Sequence, residues 1–123
     1  MSAFSFRQRL RSFRHAFHGA ATLIRTQPNA RLHALATALA IVAGVTLKIQ
    51  KIEWALVSLA IALVWMAEAL NTAIEFLADE ITEERRARIK QAKDVAAFGV
   101  LIGALVAAAI GLIVFLPHCL PAK

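Results

Sequence analysis

Apolar residues recur at Phe6, Leu10, Phe13, Phe17, Ala20 and Ile24, three or four positions apart, which is the spacing of one face of an α-helix. Arg7, Arg11, Arg14, His18 and Arg25 occupy the opposite side. A helix divided in this way suits a membrane interface, with its aromatic side in the acyl boundary and its arginines among headgroups. Packing on a soluble partner is the competing explanation. Pro28, in TQPNA, breaks this helix or starts the next. Three apolar runs follow, at about residues 32–47, 54–77 and 95–116. A bilayer core of roughly 30 Å needs about 20 apolar residues. The third run meets that length, the first borrows from its flanks, and the second reaches it only if Glu68, Asn71 and Glu75 are accepted inside the membrane.

The pattern predicts an all-α membrane protein with an N-terminal amphipathic helix (1–28) and three transmembrane helices (29–123), forming one domain over 1–123. Composition agrees. Of 123 residues, 59% are hydrophobic and 18% charged, too little polar surface to coat a soluble globule. The 14 Lys and Arg outnumber the 8 Asp and Glu, giving a net charge of +6. These charges flank the apolar runs and form no separate basic module, which argues against nucleic acid and for an anionic membrane face or a phosphate-bearing ligand.

Eleven of the basic residues lie in the N-terminal segment and in the 78–94 connector, while only Lys48, Lys51 and Lys123 lie on the other side. The positive-inside rule then predicts a multi-pass protein with its N-terminus and 78–94 connector cytoplasmic and its 46–53 turn and C-terminus outside. The first apolar run starts too late, with no small-residue cleavage site, for a cleaved signal peptide. Small residues repeat every four positions at Gly99, Gly103, Ala107 and Gly111, and again at Ala36, Ala40 and Gly44. Such ridges let helices approach closely in lipid, so a homo-oligomer is expected, although Ala and Gly are also common in membrane helices generally.

The candidate chemistry lies on the second span. At 100° per residue, Glu68, Asn71, Thr72, Glu75 and Asp79 fall within an arc of about 100° and form one polar stripe that cannot face lipid. Glu75 and Asp79 fall near the basic interface, where a soluble phosphate compound and Mg²⁺ can reach a carboxylate. Glu68 lies about 10 Å deeper, at the level of a lipid headgroup hydroxyl, where a partly desolvated carboxylate suits a general base. Asn71, one turn from both, carries donors and an acceptor to orient either. Lys90, Lys93 and Asp94 close the connector at the level of Glu75; lysine there suits phosphate, and Asp94 suits metal or the lysine itself. Lys90 and Asp94 also have the i,i+4 spacing of an ordinary helix ion pair. The stripe alone leaves two classes open, phosphoryl transfer or a small oligomeric cation channel lined by Glu68 and Glu75.

Other residues carry less. Cys119 is the single cysteine, so neither an intrachain disulfide nor a cysteine-based zinc site exists. His15, His18, His33 and His118 are too scattered for a metal site; His33 reads as an interfacial residue bonded to a carbonyl. Trp54 reads as an interface anchor and Trp65 as packing.

The segment EALNTAIE at 68–75, followed by AKDVAA at 92–97, resembles the signature of the prokaryotic diacylglycerol kinase and undecaprenol kinase family. The resemblance extends through FRHAFHG at 13–19 and NARLH at 29–33 and covers nearly the whole chain. It implies a homotrimeric membrane helical bundle that transfers the γ-phosphoryl of Mg·ATP to the primary hydroxyl of a lipid alcohol. On that pattern Glu68 matches the catalytic base and Asn71 a residue that organises the site. Glu75 matches a metal ligand, Lys93 and Asp94 match nucleotide-site residues, and Glu84 falls where the family contacts nucleotide. Arg85 and Arg86 depart from the aromatic and histidine residues usual beside it. Gln27 stands where the family commonly has a glutamate that shares the metal with the position of Glu75. A neutral amide still coordinates through oxygen but brings no charge, so weaker Mg²⁺ binding is expected unless Asp79 or Asp94 compensates. AKDVAA and AFHG are closer to the undecaprenol kinase branch, with diacylglycerol the second choice of lipid.

Overall fold

A computed structural model describes residues 6–120 as four helices: α1 (Phe6–Thr26), α2 (Pro28–Thr46), α3 (Lys51–Ile81) and α4 (Ala87–Cys119). No strand occurs among the described residues, and α2, α3 and α4 are each long and apolar enough to cross a membrane. The fold is thus the predicted all-α membrane architecture. A soluble protein of 13.4 kDa would expose about 6,500 Å², whereas this chain exposes 9890 Å². The excess is apolar: leucines, isoleucines and phenylalanines point outward along all four helices, as they do where lipid is the solvent.

Each element begins and ends for an identifiable reason. Gln27 interrupts α1 and caps α2 in extended conformation, and Pro28 occupies the first turn of α2, where its missing N–H costs nothing. The bend is fixed by Arg31, which donates from Nε to the Ile24 carbonyl (3.0 Å) and from Nη2 to the Arg25 carbonyl (2.7 Å). One side chain therefore satisfies two carbonyls left open by the end of α1. At the other end of α2, the Ile49 amide bonds the Gly44 carbonyl and the Lys48 amide the Val45 carbonyl, the double bond of a Schellman motif. Lys48 takes the left-handed position (φ 53°) that glycine usually fills there. Gln50 and Glu53 then start α3 with reciprocal side-chain-to-backbone hydrogen bonds, a capping box with glutamine in the leading position.

The turns are shorter than the apolar runs implied. Only Thr82–Arg86 separates α3 from α4, so most of the expected 78–94 connector is helical. Helices of 31 and 33 residues are about 45–50 Å long, well beyond a 30 Å hydrocarbon core, and their polar ends project past it.

Packing is densest between α3 and α4, with α2 against α3 and α1 touching α2. Gly103 makes close approach possible: a Cβ there would sit 3.5 Å from that of Ala67 and 3.7 Å from the Leu63 carbonyl. Gly99 and Gly111, on the same ridge, have nothing within 4 Å. The apolar core is gathered at the α2–α3 turn, where Ile49, Val57 and Val114 are buried with Trp54, Ile61 and Phe115 around them. Trp54 lies so close to Gly44 that a Cβ on that glycine would fall 2.7 Å from the indole ring. Trp54 is thus a packing residue of the α2–α3 hairpin as well as an interfacial one.

Candidate active site

Away from that core, three of the buried residues of α3 are polar. Glu68 is 1% exposed, Thr72 4% and Asn71 9%, and only Val114 matches Glu68 among large fully buried side chains. A carboxylate in that position has lost its water and needs replacement partners. It lacks them in part, because Glu68 Oε2, Asn71 Oδ1 and Thr72 Oγ1 are buried without a hydrogen bond. Buried polar atoms are nearly always paired, so three orphans in five residues of one helix mark a place prepared for something else.

Toward the basic end of α3 the stripe becomes accessible. Asn71 Nδ2 donates to Glu75 Oε1 at 3.2 Å, which orients the half-buried Glu75 carboxylate and turns the amide oxygen inward. One turn further, the exposed Asp79 accepts from Lys93 Nζ at 2.6 Å, linking α3 to α4. Glu75 adds its attraction to the same ammonium. Lys90 bonds Asp94 at 2.6 Å along α4, the i,i+4 pair that the spacing allowed. Asp94 is therefore spent on Lys90, while Lys93 is aimed at the stripe.

Beside this pair lies a hollow of about 790 Å³, lined by Asp79, Thr82, Glu84, Arg86, Lys90 and Lys93 among others. Thr82 Oγ1 accepts the Glu84 amide at 3.0 Å and shapes the turn, and Arg86 reaches the Glu84 carboxylate at 3.4 Å. Four basic side chains, Arg85, Arg86, Lys90 and Lys93, face the same hollow beside three carboxylates, Asp79, Glu83 and Glu84, so its lining has a small positive excess, and most of these charges are tied in ion pairs.

Glu68, Asn71 and Glu75 thus share one side of α3, with Asn71 bonded to Glu75 and Lys93 reaching that helix from α4 at Asp79, and Glu84 lies on the rim of the adjoining hollow. Gln27 lies at the α1–α2 bend, with no hydrogen bond to Glu75 among the described residues. No group of three or more His, Cys, Asp or Glu among the described residues is arranged to hold a metal ion. The donors present do not make an all-protein metal cage. They fit Mg²⁺ that arrives with a nucleotide, which takes one or two carboxylates and fills its remaining positions with phosphate and water oxygens.

His33 departs from expectation. It does not bond a carbonyl as an interfacial histidine would; its Nε2 faces Glu68 Oε2 at 3.7 Å, and its ring meets Trp65 edge-on. Trp65, read as packing, donates from Nε1 to Thr37 Oγ1 at 3.0 Å. These contacts depend on the register of α2 against α3, which helical periodicity does not reveal. The only sequence sign was that His33 closes the NARLH segment.

The candidate site is thus a buried carboxylate on α3, an amide and a more accessible carboxylate further along the same helix, and a charged hollow at its end. The profile of the prokaryotic diacylglycerol kinase family matches residues 14–115. The chain belongs to that family and is a lipid kinase. It is similar to the undecaprenol kinase of Bacillus subtilis (strain 168), with 38% identity over 107 residues that cover 87% of each chain. It is also similar to the diacylglycerol kinase of Synechocystis sp. (strain ATCC 27184 / PCC 6803 / Kazusa), with 36% identity over 110 residues, 89% of this chain and 63% of that one.

Proposed function

We propose that the protein transfers the γ-phosphoryl group of Mg·ATP to the primary hydroxyl of a membrane lipid alcohol, with undecaprenol the preferred substrate and diacylglycerol the second. The observation that carries this reading is the buried, incompletely bonded Glu68 on the same helix face as the accessible Glu75. Glu68 takes the proton as the lipid oxygen attacks the γ-phosphorus. Asn71 and Glu75 orient the phosphate end of the nucleotide, Lys93 neutralises its charge, and Glu84 contacts it from the turn. Bound Mg²⁺, held by Glu75 and by the Gln27 amide, would neutralise phosphate charge as the transfer proceeds. The chain's own residues supply position and a proton acceptor; no covalent intermediate is needed.

The preference for undecaprenol is supported by the branch resemblance of AKDVAA and AFHG and by similarity along most of the Bacillus protein. The basic bias of the α3–α4 turn and of α1 supports a cytoplasmic N-terminus in a bacterial inner membrane. Open faces at Gly99 and Gly111 support assembly with further copies, a homotrimer by family pattern. Membership of a kinase family gives no support to a cation channel lined by Glu68 and Glu75.

The test is an assay with γ-labelled ATP in which undecaprenol and diacylglycerol are offered side by side across a Mg²⁺ titration. Label should enter the lipid, undecaprenol ahead of diacylglycerol. Equal labelling, or a preference for diacylglycerol, would reverse the substrate assignment, and no labelling of either would remove the activity.

A further inference from the structure

A base as deeply buried as Glu68 has no direct way to pass on the proton it accepts. Its side chain is 1% exposed, and among the described residues the only ionisable group set against it is His33. The imidazole Nε2 stands 3.7 Å from Glu68 Oε2, beyond hydrogen-bond length but within a small side-chain adjustment of it. Both atoms are buried and unpartnered, so neither is committed elsewhere. The His33 side chain as a whole is 19% exposed, against 1% for Glu68, and reaches a cavity of about 290 Å³ between α2, α3 and α4.

The ring is held from behind. Trp65, three residues before Glu68 on α3, meets it at 65° with centroids 6.5 Å apart, and Trp65 is itself fixed by Thr37, one turn after His33 on α2. The remaining wall of the cavity is apolar, with Val64 from α3 and Ala104 and Ala107 from α4. The nearby Arg31 is engaged with the Ile24 and Arg25 carbonyls. Such bracing keeps one nitrogen directed at one oxygen, as a proton acceptor requires.

We infer that His33 is a positioning residue for Glu68 and the onward acceptor of its proton. The inference rests on the lipid kinase reading. As the lipid O–H bond breaks, its oxygen bonds the γ-phosphorus, and the bond from that phosphorus to the bridging oxygen breaks with its electron pair remaining on ADP. The proton passes to Glu68 and then to Nε2 of the neutral imidazole, which leaves an ionised carboxylate facing an imidazolium. Because Nε2 is buried, the proton that leaves to water at the exposed edge of the ring is the one on Nδ1, and return of the ring to its Nδ1–H form resets the site for the next turnover.

The experiment is steady-state phosphotransfer to undecaprenol and to diacylglycerol by the wild type, His33→Ala and His33→Gln. His33→Gln keeps volume and hydrogen-bonding capacity but no basic nitrogen, so both variants should lose about 10- to 100-fold in kcat with little change in KM for ATP. Added imidazole should restore His33→Ala, whereas pyrrole, of the same shape without a basic nitrogen, should not. Equal rescue by pyrrole, or kcat of His33→Gln within about twofold of wild type, would overturn the proton role and leave the kinase reading intact. A wild type inactive toward both lipids would instead overturn the kinase reading and this inference with it.

Discussion

Helix α3 carries two histidine–glutamate pairs, one at its start and one past its middle, and they differ in what they leave undone. Near its start, His118 Nε2 lies 3.0 and 3.1 Å from the two Glu53 oxygens, and Glu53 Oε2 also accepts the Gln50 amide at 2.7 Å. That carboxylate is fully used: it caps α3 and ties it to the last turn of α4. Toward the other end, Glu68 is more deeply buried, yet its partner stands at 3.7 Å and one oxygen bonds nothing. The same two residue types thus make a structural tie where contacts are complete and, on the proposed function, a reactive pair where they are not. The deeper pair is also the more expensive to bury, and the proposed reaction gives its incompleteness a reason.

The sharpest way to break this contrast is to neutralise a carboxylate at each end. Glu75→Gln should leave the helices intact but lower phosphotransfer on the order of 100-fold, because the nucleotide's phosphate end loses its oriented carboxylate. Glu53→Gln should stay within about twofold of wild type in turnover and lose only thermal stability. A turnover assay with circular dichroism on both variants measures this, and equal losses of activity would erase the distinction. Next in size is Gly44→Ala, whose Cβ would fall 2.7 Å from Trp54; overpacking there should cost about 1–3 kcal/mol, read as easier unfolding in denaturing detergent. The effect should appear as stability and not as a raised KM for ATP, since the contact lies at the end remote from the polar stripe.

Gln27→Glu sharpens the contrast from the other side. It would add the charge that the family commonly places there, and the Mg²⁺ concentration for half-maximal activity should fall several-fold, on the order of 1 kcal/mol of binding. An unchanged Mg²⁺ requirement would show that Gln27 does not take part. The smallest expected effect is stabilising: Lys48→Gly relieves a left-handed position outside the site and should add about 0.5–1 kcal/mol with turnover unchanged.

Different parts of the molecule were legible in the sequence to different degrees. The α1 periodicity and the lengths of the apolar runs predict four helices, because the bilayer imposes a length and an interface imposes a face. Helix ends were less legible, since the 78–81 and 87–94 segments continue their helices on polar residues that leave no apolar signal. The stripe on α3 was legible because it lies within one helix, where spacing alone sets the face. The His33–Glu68 and Trp65–Thr37 contacts were not, because they depend on how two helices slide past each other. The Asp79–Lys93 pair is likewise a contact between helices that spacing does not reveal.

The role of Glu68 as the proton acceptor is tested most directly by γ-labelled phosphoryl transfer to lipid by Glu68→Gln beside wild type in the same bilayer preparation. The substitution keeps size and hydrogen bonding and removes only the basic oxygen, so turnover should fall by about 10²–10⁴ with the assembly unchanged by size-exclusion chromatography. Wild-type-like turnover in that variant would contradict the account at its centre.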